Sequence, residues 1–485
     1  MSLESQVSHN ISCFTELWLT FEYLGLDNFI FKSGTLTSTL ACPPFLPISA
    51  HSVPIVQVAI EPMRPSDDTN LQEGLQLLNR SDPCVEVQVS NTTGEFLLRT
   101  AGEVHLHRCL TDLKERYAGI ELRVSQPTVQ FLETVAQPLP GQQQSEDECV
   151  ISPGTVKIQV PNSPLSFTIR CHPLSEEAID CISKHEELVR KIHRVLKQNQ
   201  QCGVDIRENV AHFKEKLKEQ STFNVDNVLS FGPFGCESNV LTCEDSCSLA
   251  ARRVWDFDKT LPLDDKISIQ TVYNSIVNGF QLAATAGPIC EEPMRGVCFT
   301  ILDAELDATM VENYSMGSLN GHTVSLVKEI CRRAFSSLPQ RLMVAMYSCT
   351  VQTSPETLGK LHGVIARRFG KVTNEDTNDT CTQFFVSAAI PVIESFGLAD
   401  ELRKKTSGLV LDPQLKFSHW EVLEADPTVS VLIVDEEADV DETLEMSLHH
   451  QARRYMLAVR RRKGLPTGEQ LVVKAEKQRN LSKKK

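Results

Sequence analysis

One order of elements occurs twice in this chain, and it limits the fold more than any bulk property. Pro54 to Ile60 alternates apolar and polar residues as a half-buried strand does, and Leu71 to Leu78 has helical spacing. Cys84 to Val89 and Glu95 to Thr100 alternate again around an Asn-Thr-Thr-Gly turn. Glu103 to Tyr117 returns to helical spacing, and Ile120 to Val124 closes the unit as a strand. That order, β-α-β-β-α-β, is the ferredoxin-like arrangement.

The same order returns further on. Leu342 to Val351 reads as a strand, Pro355 to Phe369 as a helix with Gly370 as its C-cap, and Lys371 to Glu375 and Phe384 to Pro391 as paired strands. Ala399 to Thr406 is helical up to Gly408, and Gln414 to Val422 is the last strand. In the first unit, a strand runs through Ala101-Gly102 straight into a helix. Val104, Leu106, Leu110 and Leu113 are the expected apolar face of that helix.

The stretch between the two units has mixed character. Gln137 to Glu148 is rich in Pro, Gln and Ser and reads as a loop. Val156 to Val160 and Leu165 to Cys171 read as paired strands, and Gly296 to Leu302 as a third. Cys181 to Gln220 reads as a long helical stretch, with Leu188, Ile192, Val195 and Leu196 on one face. Asp245 to Lys266 has weak periodicity and reads as a disordered insertion. Ile269 to Ala284 and Thr323 to Ser336 are helices, the second preceded by a Gly317-to-His322 loop. The expected fold class is therefore α+β and multidomain, two ferredoxin-like βαββαβ domains flanking a mixed α/β domain.

At 485 residues the chain has room for two to four domains. A formal charge of -15 argues against indiscriminate coating of nucleic acid. The total hides an asymmetry, because the acidic run from Asp435 to Glu445 precedes a strongly basic end. Residues 453–485 hold twelve Lys and Arg against two Glu, a surplus of 10 that leaves -25 on the remainder. Sixteen scattered cysteines lack a disulfide-framework spacing and point to reduced, intracellular thiols, which leaves cytoplasm or nucleus, with the cytoplasm the expected site. The apolar stretch from Ile11 to Phe31 is broken by Glu16, Glu22 and Asp27, so no membrane span is expected.

Chemistry-bearing motifs are few. No G-x-x-x-x-G-K-[ST], D-x-x-G or N-K-x-D occurs, so no residue of this chain is assigned to GTP or to catalysis. Cys236, Cys243 and Cys247 lack paired metal-ligand spacing, and His105 and His107 fall on different helix faces, so no metal is expected. Two basic clusters could meet phosphate: Arg367, Arg368 and Lys371, and Arg403, Lys404 and Lys405. The tail with Arg460, Arg461, Arg462 and Lys463 and with Lys483, Lys484 and Lys485 reads as a phosphate-contacting or nuclear-targeting segment, or as a solvated terminus. Cations at helix C-termini also suit the helix dipole, which is the plainer reading of the first two. The loop carrying Gly317, Asn320, Gly321 and His322 is a further candidate contact, or simply a connector.

The wording of several stretches resembles one family in chain order, the translocase-type translation factors. Gly25 to Phe45 is similar to the end of their β-barrel second domain, and Ala101 to Pro127 to their third. Leu229 to Leu241 and Asn274 to Phe299 resemble the fourth, and Pro339 to Gln352, Val392 to Gly408 and Phe417 to Leu423 the fifth. Arg453 to Leu465 and Ala475 to Lys485 resemble the ends of the elongation factor-like GTPases of 60S subunit maturation. The region Glu312 to Leu326 lacks the H-R-G-G-G-Q pattern of the elongation translocase itself, which favours the maturation factors.

The resemblance implies a domain plan. Residues 1–50 would be an unmatched N-terminus with a domain II remnant, 51–128 domain III, 129–337 domain IV with insertions, 338–424 domain V, and 425–485 an acidic linker with a basic helix and tail. It implies binding to the 60S ribosomal subunit, with the Shwachman-Bodian-Diamond syndrome protein and the 60S anti-association factor as further partners. GTP and magnesium belong to a complete family member, a GTP hydrolase. The alternatives are a fragment of an elongation translocase and a non-functional truncated product.

Overall fold

The computed structural model describes residues 53–467 apart from 91–93, 139–148, 160–164, 199–203, 234–237, 245–252, 258–271, 307–315, 378–382, 411–412 and 429–439. The expectations for residues 1–50, for Cys236 and Cys247, for the start of the acidic run and for the Lys483–Lys485 tail lie outside the described residues, as does almost all of the Gln137–Glu148 loop. The chain divides into two compact units, residues 1–130 with 345–419, and residues 131–344 with 420–485.

The first unit holds the first ferredoxin-like domain and most of the second, of which residues 340–344 and 420–422 belong to the other unit. In the first domain, β1 (Val56–Pro62), α1 (Asp68–Ser81), β2 (Glu86–Val89), β3 (Phe96–Thr100), α2 (Glu103–Asp112) and β4 (Leu122–Val124) follow the expected order. Their sheet runs β2-β3-β1-β4 with antiparallel pairs, and a short β5 (Thr128–Val129) also pairs with β1. Val56, Val58 and Ile60 of β1 are buried while Gln57 and Ala59 are only partly so, the period-2 signature of one covered face. Leu71, Leu75 and Leu78 of α1 supply the covering stripe. On α2 the buried positions are Leu106 and Cys109, followed by Leu113 in a one-turn π segment. Val104 is 83% exposed, so the expected apolar face is corrected at its first member. The buried face begins two residues later at Leu106, with Glu103 and Val104 at the helix entry.

The second ferredoxin-like domain is built from β13 (Gln340–Thr353), α8 (Leu358–Arg367), β14 (Lys371–Thr377), β15 (Phe384–Pro391), α9 (Leu398–Thr406) and β16 (Gln414–Val422), in sheet order β14-β15-β13-β16. Its core joins Cys349 and Val351 of β13, Val386, Ala388 and Ile390 of β15, Leu361, Val364 and Ile365 of α8, and Leu398 and Leu402 of α9. One helix end differs from expectation: the left-handed position falls on Phe369, one residue before Gly370, whereas at the end of α9 both Ser407 and Gly408 are left-handed, at φ 55 and 79. Gly370 N–H donates to Ile365 O and Gly408 N–H to Arg403 O, closing both helices.

In the second unit a six-stranded sheet runs β10-β11-β12-β9-β8-β7, where β7 is Val150–Ser152, β8 Thr155–Gln159, β9 Leu165–Pro173, β10 Val228–Gly232, β11 Asn239–Cys243 and β12 Val297–Leu306. Only the β11–β12 pair is parallel among these. Helices α3 (Glu176–Lys184), α4 (Glu186–Gln198) and α5 (Val204–Gln220) replace the single expected helical stretch. They share a buried cluster with Phe231, Val240 and Cys298 of the sheet. Phe299, the next residue along β12, meets Phe280 of α6 (Tyr273–Thr285) with ring centroids 5.9 Å apart. Neighbouring strand residues point to opposite faces, so the sheet is covered by helices on both sides. The expected disordered insertion is corrected at Val254 and Trp255. Val254 is fully buried, and the Trp255 ring lies 6.1 Å from Phe213 and 6.2 Å from Phe231.

Met316–Ser336 is one 21-residue helix, α7, so the Gly317-to-His322 segment is helical rather than a loop. Burial of Leu319 and Thr323 on the side of Leu326, Val327 and Ile330 outweighs the poor helix propensity of two glycines. The short β6 (Leu132–Val135) pairs with the first residues of β13. The last element among the described residues of this unit is the helix α10 (Val440–Arg462).

Candidate functional site

The sequence-predicted contact residues divide by what their side chains already hold. Arg368, whose side chain is 15% exposed, lies between α8 and α9. Its Nε and Nη2 reach Glu401 Oε2 at 2.9 and 2.7 Å, and its Nη1 donates to the carbonyls of Glu394 and Phe396. Arg367 Nη1 meets the other carboxylate oxygen at 2.8 Å. Hydrogen bonding from Arg368, followed by the nearby positive charges, holds the Glu401 carboxyl below its ordinary pKa. Arg368 is therefore a structural joint within the second ferredoxin-like domain.

The basic end of α10 is likewise engaged. Arg460 Nη1 donates to Ile289 O at 2.7 Å, Lys463 Nζ to Glu291 O at 2.6 Å, and Arg462 and Lys463 meet the Glu292 carboxylate at 3.5 and 2.9 Å. Beneath that loop sits Glu133, fully buried on β6. Its Oε1 accepts from the Cys290 and Glu292 amides at 2.7 and 3.0 Å, and its Oε2 from the Ile289 amide at 2.9 Å. A Cβ on Gly287 would fall 2.1 Å from Glu133 Oε2, so only glycine lets the loop close over the carboxylate. Burial pushes the Glu133 carboxyl up to about 7, against three amides that pull it down.

Sequence reasoning missed Glu133. The available signal was an acid inside the fully buried run Leu132-Glu133-Thr134-Val135, but its partners lie more than 150 positions away in sequence.

What stays on the surface is narrower. Arg403, Lys404 and Lys405 are exposed on the last turn of α9, where Arg403 makes a 3.5 Å ion pair with Asp400. Lys371 is exposed at the start of β14, and Arg461 at the end of α10. Gly317, Gly321 and His322 are exposed on the first turns of α7, and Asn320 is half-buried. The described geometry therefore offers short cationic turns suited to phosphate, and no grouped nucleophile, base and oxyanion donor.

One cluster has metal-ligand chemistry among the described residues: Asp82, His105 and Cys109. The hydrogen bonds argue against a metal there. Ala101 N–H donates to His105 Nδ1 at 3.1 Å, so a neutral ring carries its proton on Nε2 and donates it to Asp82 Oδ2 at 2.8 Å. No ring lone pair remains for an ion. Burial, with Asp82 and Asp112 adding to it, raises the Cys109 thiol to about 12. The histidine fastens the α1 exit to the start of α2.

Comparison with known proteins follows the same chain order. The family described as Elongation Factor G, domain III, matches residues 52–126, and Elongation factor G C-terminus matches residues 341–429. Elongation factor-like GTPase 1 of Homo sapiens is 35% identical over 95% of this chain, which covers 48% of that protein. Ribosome assembly protein 1 of Schizosaccharomyces pombe is 34% identical over 94% of this chain, covering 47% of it. The protein of the same name from Saccharomyces cerevisiae is 34% identical over 95%, covering 42%. The chain thus spans about half the length of the curated relatives it matches. Among the described residues, no helix is long and apolar enough to cross a membrane.

Proposed function

We propose, from the premise that this chain belongs to the family of the elongation factor-like GTPases, that it is a ribosome-binding module acting in ribosome assembly. The observation that carries the reading is similarity across nearly the whole chain to two proteins named for ribosome assembly and to one named as an elongation factor-like GTPase, with both ferredoxin-like domains in their family order. Its chemistry is shape and phosphate contact. The exposed cations on the last turn of α9 are the cationic part of that surface.

The finer reading is that such a module works on late pre-60S subunits in the cytoplasm. There it would relay a nucleotide state when a complete relative, together with the Shwachman-Bodian-Diamond syndrome protein, releases the 60S anti-association factor. GTP and magnesium would be held by residues of a complete relative, none of which is assigned in this chain.

Sedimentation of the purified chain with isolated 60S, 40S and 80S particles over a salt series tests the reading. Binding to free 60S that weakens with salt is expected. No affinity for 60S at low salt overturns it, and equal binding to 80S particles turns the assignment toward an elongation translocase.

A further inference from the structure

The junction Ala101-Gly102-Glu103 does more than turn a strand into a helix. Within the first compact unit it is a place where the first ferredoxin-like domain is hydrogen-bonded to the second. Tyr347, a buried residue of β13, donates its hydroxyl to Ala101 O at 2.6 Å. Gly397 donates its backbone N–H to Glu103 Oε2 at 2.8 Å. Gly397 is the N-cap of α9 and lies at φ 67, a left-handed value that favours glycine. Its amide is one of the donors a helix start leaves without an intrahelical acceptor.

Glu103 is also the first residue of α2. One carboxylate therefore stands at the N-termini of two helices in different domains, where both helix dipoles favour negative charge. The α9 helix is nine residues long, about 13 Å at the usual rise. Its opposite end carries Arg403, Lys404 and Lys405. We propose that Glu103 and Tyr347 form an interdomain clamp, and that Glu103 is a positioning residue for the basic turn of α9. The clamp stands on the two contacts alone, whereas its consequence for that turn rests on the ribosome-binding reading above.

Amide hydrogen exchange on the full chain tests the clamp without any ribosome. Glu103→Ala is expected to speed exchange of the Gly397 amide at least about tenfold, while Glu103→Gln keeps it within about threefold because an amide oxygen still accepts the bond. Tyr347→Phe removes one oxygen from a site that does not touch Gly397. It is expected to speed exchange at Gly397 and along Leu398–Leu402 by several-fold, with α1 and β15 unchanged. Should Glu103→Ala fail to fold, Tyr347→Phe decides the matter. Unchanged exchange at Gly397 in the variants that fold overturns the clamp.

Sedimentation with 60S then separates the two claims. Faster exchange with weakened binding supports both. Faster exchange with unchanged binding keeps the clamp and overturns its role for the basic turn. Unchanged exchange with intact 60S binding overturns the clamp and leaves the ribosome-binding reading standing.

Discussion

Two single residues carry costs that their neighbours make measurable. Ser407 ends α9 in the left-handed region at φ 55 and is exposed, so no packing compensates. That conformation costs a non-glycine residue about 1–2 kcal/mol, while glycine adds about 0.5–1 kcal/mol of unfolded-chain entropy. Ser407→Gly should therefore stabilise the protein by about 0.5–1 kcal/mol, read as a higher melting temperature. Glu133 is the opposite case, an acid raised to about 7 in the folded state against the ordinary 4.5. Between those values the folded state binds more proton than the unfolded one, so stability falls as pH rises from about 4.5 to 7. Glu133→Gln should abolish that slope, seen in denaturant titrations across the window. It should also cost about 1–3 kcal/mol, because a side-chain NH2 would face the Ile289 or Cys290 amide where an oxygen now accepts.

Elements were readable where one chain segment sets its own periodicity, and unreadable where distant contacts decide. Strand β1 shows its buried face in alternate residues, and the order of both ferredoxin-like domains follows from such local patterns. Gly317 and Gly321 are weak helix formers and locally favour a later start for α7, yet Leu319 and Thr323 pack the helix down from its first turns. The basic clusters were visible as charge, but charge does not say whether its partner is internal. Arg368 illustrates the difference, since its acceptors at Glu394, Phe396 and Glu401 lie 26 to 33 positions away. Arg368→Ala should cost about 2–4 kcal/mol by stranding those acceptors between α8 and α9. Arg367→Ala, at a side chain 61% exposed, should stay within about 0.5 kcal/mol. Glu401 has a depressed folded pKa, so its contribution is present above the ordinary carboxylate range and lost as pH falls through the folded value. Acid denaturation of the Arg368→Ala variant should accordingly be less steep than that of the parent.

Across the whole molecule, the charge separation between an acidic body and a basic end sets what can be attracted, while internal bonding sets what remains available. Arg367, Arg368, Arg460, Arg462 and Lys463 hold carboxylates or carbonyls. Lys404 and Lys405 stay exposed on α9, and residues 468–485 add six cations beyond the described residues. Each phosphate contact contributes about 0.7–0.9 to the logarithmic dependence of affinity on salt. Lys404→Ala with Lys405→Ala should thus flatten the salt slope of 60S binding by about 1.4–1.8, and removal of residues 468–485 should flatten it independently. Arg460→Ala belongs to another class, because its guanidinium holds Ile289 O and Pro466 O. That variant should lower the melting temperature and leave the slope of the folded protein unchanged. If Arg460→Ala flattens the slope while the lysine pair does not, the phosphate-facing surface is the end of α10 rather than the last turn of α9.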